Sequence, residues 1–524
     1  MQQLDSKLID STFIRLEREN ENSRLLLLNS ELKAMEINKE EYEEMNEKYK
    51  IINFEFEKKE KKRKNQNQNQ NQNQNDIKND PLKFIIQSLN IPIYRKLNFY
   101  LQYCYICKVP YKDVHFFYDY LCPNCAEINY NKRIGFVDLT GNIAVVTGGR
   151  IKIGFYCALK LLRWGATVLV TTRFPHDAAQ RYSKEPDFEK WKKRLHIYGS
   201  LDFRDLRRVE IFCEYLKVKF KKIDILVNNS AQTVWKPPLF YQHLKENEQK
   251  SFHLLPDDSQ KLVEDYHTSF HEFVQKKANF YHQNESNYNI KFLEVNKELK
   301  QEMEEEIIIE ENENKIQIQN LSLPILEEYQ KKISLENNPQ FFPDNEFDLD
   351  QQQIDLRRRN SWYQRLEEIA TFETLEVVLV NSLAPFLFVQ KLKPIMEKPK
   401  ESQESSFIIN VTAIEGNFYI PKPTSHPHTN MAKTGMNMIT HTLSQEFSDS
   451  RIFMNSVDPG WVSDQAPYHV QQNRSENSNS EIEWSIPLDY HDGASRVLDP
   501  IFLAHFYKIF YFGKLFKDYR IYNW

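Results

Sequence analysis

The chain has 524 residues, 40% of them hydrophobic and 27% charged, and its 69 Lys and Arg against 74 Asp and Glu give a formal net charge of −5. That is enough chain for two to four units, and the near-balance of charge excludes a globally basic nucleic-acid coat or membrane-surface patch, so that any such binding must be local. No run approaches the roughly 18 uninterrupted apolar residues that cross a bilayer, and Asp5, Lys7 and Asp10 break any signal-peptide core, so the expectation is a soluble, cytoplasmic protein without membrane contact.

Residues 1–64 are rich in Glu, Lys, Leu and Asn, with Leu4, Leu8, Leu25, Leu28 and Leu32 near helical spacing and no Pro or Gly. They predict a helical arm, with a coiled coil as the alternative because the heptad is interrupted. The basic run Lys58 to Lys64 (KKEKKRK) reads as a solvated face beside Glu60, nuclear import being its other reading. The Asn/Gln alternation that follows cannot bury apolar surface, so 65–80 is a disordered linker and a boundary.

Residues 81–133 form a short aromatic-rich segment around two cysteine pairs. Cys104 and Cys107 (CYIC), then fourteen residues, then Cys122 and Cys125 (CPNC) have the spacing of a four-thiolate zinc site. Two-residue gaps let both sulfurs of a pair reach one tetrahedral ion at about 2.3 Å. Four thiolates close the shell, so the zinc is structural and holds a unit too poor in core to fold alone. His115, between the pairs, is expected to pack rather than ligate.

From Asp138 an apolar strand, a glycine turn and a helix alternate: IAVVTGG, ALKLLRWGA, TVLVTTR, IDILVNNSA. Such alternation predicts an α/β fold with a parallel sheet covered on both faces. From about Trp235 to Asn360 the chain turns polar, and the rhythm resumes with LEVVLVNSLAPFLF, SSFIINVTA and FMNSVDPGWV. All twelve glycines lie between Gly135 and Gly199 or between Gly416 and Gly513. Residues 138–234 and 361–524 therefore read as two parts of one Rossmann-type, doubly wound domain, and 235–360 as a polar insertion.

Thr147, Gly148, Gly149, Arg150, Ile153 and Gly154 lie in TGGRIKIG, placed after a strand and opening a helix, where helix N-terminal amides would face a diphosphate. The motif resembles the TGxxxGxG signature of the short-chain dehydrogenase/reductase family, with Lys152 in place of its middle glycine. Further landmarks follow in the family's order. Asp202 in LDFRD stands where the family binds adenine, Asn228, Asn229 and Ser230 in NNSA resemble its NNAG, and Asn381 in VNSLAPF matches its helix asparagine. Pro459, Gly460 and Val462 in DPGWV resemble the loop whose backbone meets the nicotinamide. Arg173 ends the second strand where a carboxylate would bind the ribose of NAD, and with Arg150 it suits a 2′-phosphate, so the expected cofactor is NADP rather than NAD.

The resemblance breaks at the catalytic residues it would imply, a Tyr, a Lys one helical turn later and a Ser. Lys433 is present in HPHTNMAK, but Thr429 stands at the tyrosine position, and Ala413 at that of the serine, with Thr412 one residue early. A Thr hydroxyl is far too weak an acid to replace a phenol. Two readings stay open. In the first, an oxidoreductase acts on a carbonyl or alcohol with Lys433, Asn381, Thr429 and another acid, His428, His426, Glu415 or Tyr419. In the second, an inactive NADP-binding sensor docks a protein partner through the zinc unit, the N-terminal helix or the insertion. The insertion leaves the carboxyl edge of the sheet, where a lid would sit, but its Glu, Gln and Asn content favours solvated helix with disorder.

Overall fold

The structure, a computed structural model, describes residues 94–97, 101–284, 323–476 and 485–524. The arm 1–64, the linker 65–80 and residues 285–322 of the insertion lie outside the described residues. The described residues divide between two compact units, one within Met1–Ile134 and Asn477–Pro487, the other within Gly135–Glu476 and Leu488–Trp524.

In the first unit β1 (Tyr94–Lys96) pairs antiparallel with β4 (Asp113–His115), and β2 (Gln102–Tyr103) with β3 (Pro110–Tyr111); α1 (Pro123–Ile134) follows. Strands this short carry little stability of their own. The core is aromatic instead. Phe116, Phe117, Tyr118 and Tyr130 are buried around His115, whose ring lies 4.3 Å from that of Phe116.

The second unit is built on eight strands in the order β12-β11-β10-β9-β8-β5-β6-β7. Seven are parallel: β5 (Ile143–Thr147), β6 (Thr167–Thr171), β7 (Leu195–Tyr198), β8 (Ile225–Asn228), β9 (Ser406–Val411), β10 (Ile452–Asp458) and β11 (Leu515–Lys517). Only β12 (Arg520–Tyr522) runs antiparallel, on the edge. The strands are apolar at successive positions because both faces are covered. Val145, Leu169, Leu226, Ile408 and Met454 pack against α4 (Leu206–Lys219) and α8 (Thr371–Met396). Ala144, Val146, Val168 and Ile409 pack against α2 (Lys152–Arg163), α10 (Tyr490–Val497) and α11 (Asp499–Tyr507). Register joins the two sequence blocks directly, Ile225 opposite Phe407 and Asn228 opposite Asn410.

By length and composition α8 could cross a membrane, with mean hydropathy 1.6 over its best window. Half of that window is buried, with Phe388, Val389, Leu392 and Met396 in the core against the sheet.

The described flanks of the insertion are folded onto this unit, a departure from solvated helix. They include α5 (Gln242–Glu248), α6 (Asp257–Asp265) and α7 (Leu323–Glu336), with α3 (Pro175–Tyr182) of the sheet layer beside the first two. Phe270 is buried against Tyr198, Phe212 and Tyr215, and Trp235 against Phe372. The polar composition misleads because many of these polar groups are themselves partnered. Tyr198 and Tyr215 both donate to Asp265, and the half-buried Lys236 joins the buried Arg357 and Asp355 in an ion network.

Candidate functional site

The turn after β5 sits where the sheet order reverses, with β6 on one side of β5 and β8 on the other, so a crevice opens at the strands' carboxyl ends. Thr147 ties that crevice together: its Oγ1 accepts from the amides of Asn229 (2.9 Å) and Ser230 (3.0 Å). Gly148 has φ +66°, a left-handed backbone that favours glycine. A Cβ on Gly154 would stand 2.3 Å from the Gly148 carbonyl oxygen and 2.4 Å from Asn229 Nδ2, so α2 can begin this close to the turn only with glycine there. The Asn229 amide donates to the carbonyls of Thr147 and Gly148. Asn228 opens a buried polar row under the crevice: its Nδ2 donates to Asn410, Asn410 to Thr440 Oγ1, and Thr440 and Ser456 share a hydrogen bond, each at 2.8 Å.

Across the crevice, Gly460 has φ +85°, and Pro459 accepts a hydrogen bond from the buried Arg496. Ile153 and Val462 meet over Gly493 of α10, where an added Cβ would lie 3.2 Å from one and 3.1 Å from the other. The turn and the later loop are thus brought together, as the sequence motifs imply.

The inner end is formed by β9 and α9 (Pro427–Asp449). Lys433 is buried and donates to the Val411 carbonyl at 2.9 Å; burial draws its pKa down to about 8, against the pull of Glu415 and Asp458. Thr429, one turn earlier on the same face, keeps a buried hydroxyl with no hydrogen-bond partner, as does Thr412. Glu415 stands on a turn whose Gly416 backs onto Lys433, since a Cβ there would be 2.7 Å from the Lys433 carbonyl carbon. Burial raises the Glu415 pKa, and Asp458 adds to the rise. Glu415, Lys422 and Asn430 line two clefts of about 300 and 390 Å³. His426 lines the first cleft with Trp362. Its ring stacks on that of Trp362 at 3.9 Å and 5°, and its Nδ1 donates to the Trp362 carbonyl at 2.8 Å, leaving Nε2 as an acceptor.

Other candidates are placed elsewhere. His428 is buried beside Glu373, at 3.8 Å. Asn381, in a π turn of α8 at Leu379–Leu383, clamps the backbone of Gln232, accepting from its N–H at 2.7 Å and donating to its carbonyl at 2.9 Å. Tyr419 is largely exposed. Sequence reading passed over Lys422, Asn430 and the stacking partner Trp362, none of which stands in a motif with a chemical spacing.

Two family models cover both blocks of this unit: that described as short chain dehydrogenase matches residues 142–254, and that described as Enoyl-(Acyl carrier protein) reductase matches 359–490. The domain belongs to the short-chain dehydrogenase/reductase family. An uncharacterized protein of Acanthamoeba polyphaga mimivirus is 28% identical over 414 residues, 76% of this chain and 71% of its own length. The human WW domain-containing oxidoreductase is 35% identical over 18% of this chain and 22% of its own, and (-)-isopiperitenone reductase of Mentha piperita 37% over 17% and 28%. Among solved structures, a putative short-chain alcohol dehydrogenase from Sinorhizobium meliloti matches with TM-score 0.39 and 16% identity over 73% of this chain and 96% of that one. A short chain dehydrogenase from Burkholderia cenocepacia in complex with NADP gives 0.37 and 15% over 69% and 90%.

Within this short-chain dehydrogenase domain the turn fits a diphosphate: α2 opens at Ile151 with no side-chain cap over its first amides, and the Lys152 ammonium is drawn 3.8 Å from Asp350 and over the Tyr490 ring. The guanidiniums are already engaged. Arg150 donates to Asp177 and to Gln352, each at 2.6 Å, and Arg173 lies over the Tyr241 ring at 4.5 Å with Asp202 3.9 Å away. Asp202 is held by Arg204, which keeps its carboxyl far below the usual range.

In the first unit Cys104, Cys107, Cys122 and Cys125 place their sulfurs all within 4.8 Å of one another, and none is in a disulfide. A tetrahedral zinc with bonds of about 2.3 Å needs sulfurs about 3.8 Å apart, so the donor set fits. His115 is not part of the cluster; its Nδ1 accepts from the Phe117 amide.

Proposed function

We propose that this chain is an oxidoreductase taking NADP in preference to NAD, with a carbonyl or alcohol compound as its substrate, and that its four thiolates hold a structural zinc ion. The observation that carries the catalytic part is Glu415, a carboxyl with a raised pKa facing a cleft, on a turn whose Gly416 backs onto the Lys433 backbone. When bound, a nicotinamide supplies or accepts the hydride. The chain's own residues handle the proton: Glu415 donates it to the substrate oxygen in reduction and takes it back in oxidation, the part a phenol would otherwise play. Lys433 holds charge behind Glu415, and the free hydroxyls of Thr412 and Thr429 offer hydrogen bonds at the inner end of the site. Gly148, Gly149, Ile153 and Gly154 would hold the diphosphate, Arg173 and Arg150 the 2′-phosphate, Asp202 and the Asn229–Ser230 backbone the adenosine side, and Pro459, Gly460 and Val462 the nicotinamide. Six cysteines, none of them in a disulfide, suit a reducing compartment, the cytoplasm.

Titrating NADPH fluorescence against wild type and Arg173→Ala tests the cofactor, with weaker binding expected for the variant. NADPH consumption over a panel of carbonyl compounds, with Glu415→Gln beside wild type, then tests the chemistry: turnover in wild type that falls at least about a hundredfold in the variant, with NADPH affinity kept, supports the reading. A second reading, a non-catalytic NADP sensor, draws on Asn381 being committed to the Gln232 backbone and on His428 being buried beside Glu373. Binding without turnover across the panel selects it.

A further inference from the structure

Two stretches of the insertion, 236–248 and 346–357, converge on the carboxyl-end loops of β5 and β6. Tyr241 stacks on Phe174 at 5.6 Å and carries the Arg173 guanidinium on its ring. Glu248, at the end of α5, accepts from the amides of His176 (3.0 Å) and Asp177 (3.1 Å), so that a carboxylate caps the N-terminus of α3 where an anion would sit. Gln352 takes the second Arg150 nitrogen, and Asp350 lies against Lys152 and accepts from Tyr490 at 2.6 Å. An aromatic ring on one guanidinium, a carboxylate on helix amides and further acceptors along the phosphate turn reproduce, in protein groups, the base, phosphate and hydroxyl pattern of a nucleotide.

We infer that the insertion is an internal occupant of the dinucleotide groove, whose segments 236–248 and 346–357 hold the groups a cofactor needs and must withdraw before it binds. The inference rests on the NADP reading above and adds its regulation. Arg150 and Gln352 are both buried, so this contact is a packed interface and not a chance surface pairing. A cofactor then binds with its intrinsic affinity reduced by the fraction of molecules in which the insertion is withdrawn. Anything that draws the insertion away, a partner protein included, would switch the site on.

The test uses the full chain and NADPH. If the withdrawn form is about a tenth of the population, Tyr241→Ala with Gln352→Ala tightens NADPH binding about tenfold. In wild type, saturating NADPH should speed amide hydrogen exchange in 236–248 and 346–357 while slowing it at 147–154; this readout does not depend on the variant folding. Exchange in the two stretches that slows or stays constant while 147–154 is protected overturns the inference and leaves the cofactor reading standing. Equal or weaker NADPH binding by a folded double variant does the same. No NADPH binding by either protein, with 147–154 unchanged, removes the cofactor reading and this inference with it.

Discussion

Lys433 shows how one buried side chain can cost stability. Its ammonium has a single hydrogen bond, to the Val411 carbonyl, and burial lowers its pKa to about 8 from the ordinary lysine value of 10.5. Between those two values the unfolded chain binds a proton that the folded one does not, so stability rises with pH through that window. Replacing the lysine removes the dependence. Lys433→Met should flatten the rise in urea-unfolding free energy between about pH 8 and 10.5, and gain on the order of 1–3 kcal/mol near neutrality, while losing turnover. Gly154 is the opposite case, a residue whose lack of a side chain is its contribution. Gly154→Ala drives a methyl into Gly148 and Asn229; a loss of about 1–3 kcal/mol and of NADPH binding is expected, measured by thermal melting and fluorescence titration. The glycine was legible in the sequence because its spacing from Thr147 is local. The setting of His426, whose pKa is lowered by burial and whose ring is oriented by Trp362, was not, since its partner is 64 residues away.

At the scale of elements, strands and motif-bearing turns were readable because each is a run of neighbours with its own periodicity. The docking of the insertion was not. Its partners are pairs such as Arg150 with Gln352, 202 residues apart, and a polar side chain carries no mark telling whether it will meet water or a buried guanidinium. The same applies to α7, which brings Lys332 to the fully buried Glu373 at 2.6 Å, with Ser361 donating to the same carboxylate and His428 nearby. These groups hold the Glu373 carboxyl below its ordinary range in spite of burial. Removing the cation leaves a buried charge without its partner, so Lys332→Met should cost about 3–5 kcal/mol and speed exchange in α7. A smaller loss in Lys332→Met combined with Glu373→Gln would confirm that the two act as a pair.

Taken whole, the molecule combines one unit built on a sheet with one built on an aromatic core and a cluster of four sulfurs. Purified protein should carry about one zinc per chain by elemental analysis. Cys122→Ser should lose it and unprotect the amides of the aromatic core from Phe116 to Tyr130, because strands of two or three residues cannot hold that core unaided. The larger unit has a different constraint, set by the pairing of β8 with β9. Asn228 and Asn410 are 182 residues apart yet hydrogen-bonded at the centre of the sheet. On a ribosome adding about 5–20 residues per second, β8 emerges some ten to forty seconds before its neighbour. Throughout that interval its inner edge is an open template for the wrong strand, and whatever shields the nascent half-sheet decides how much of this protein a cell recovers in native form.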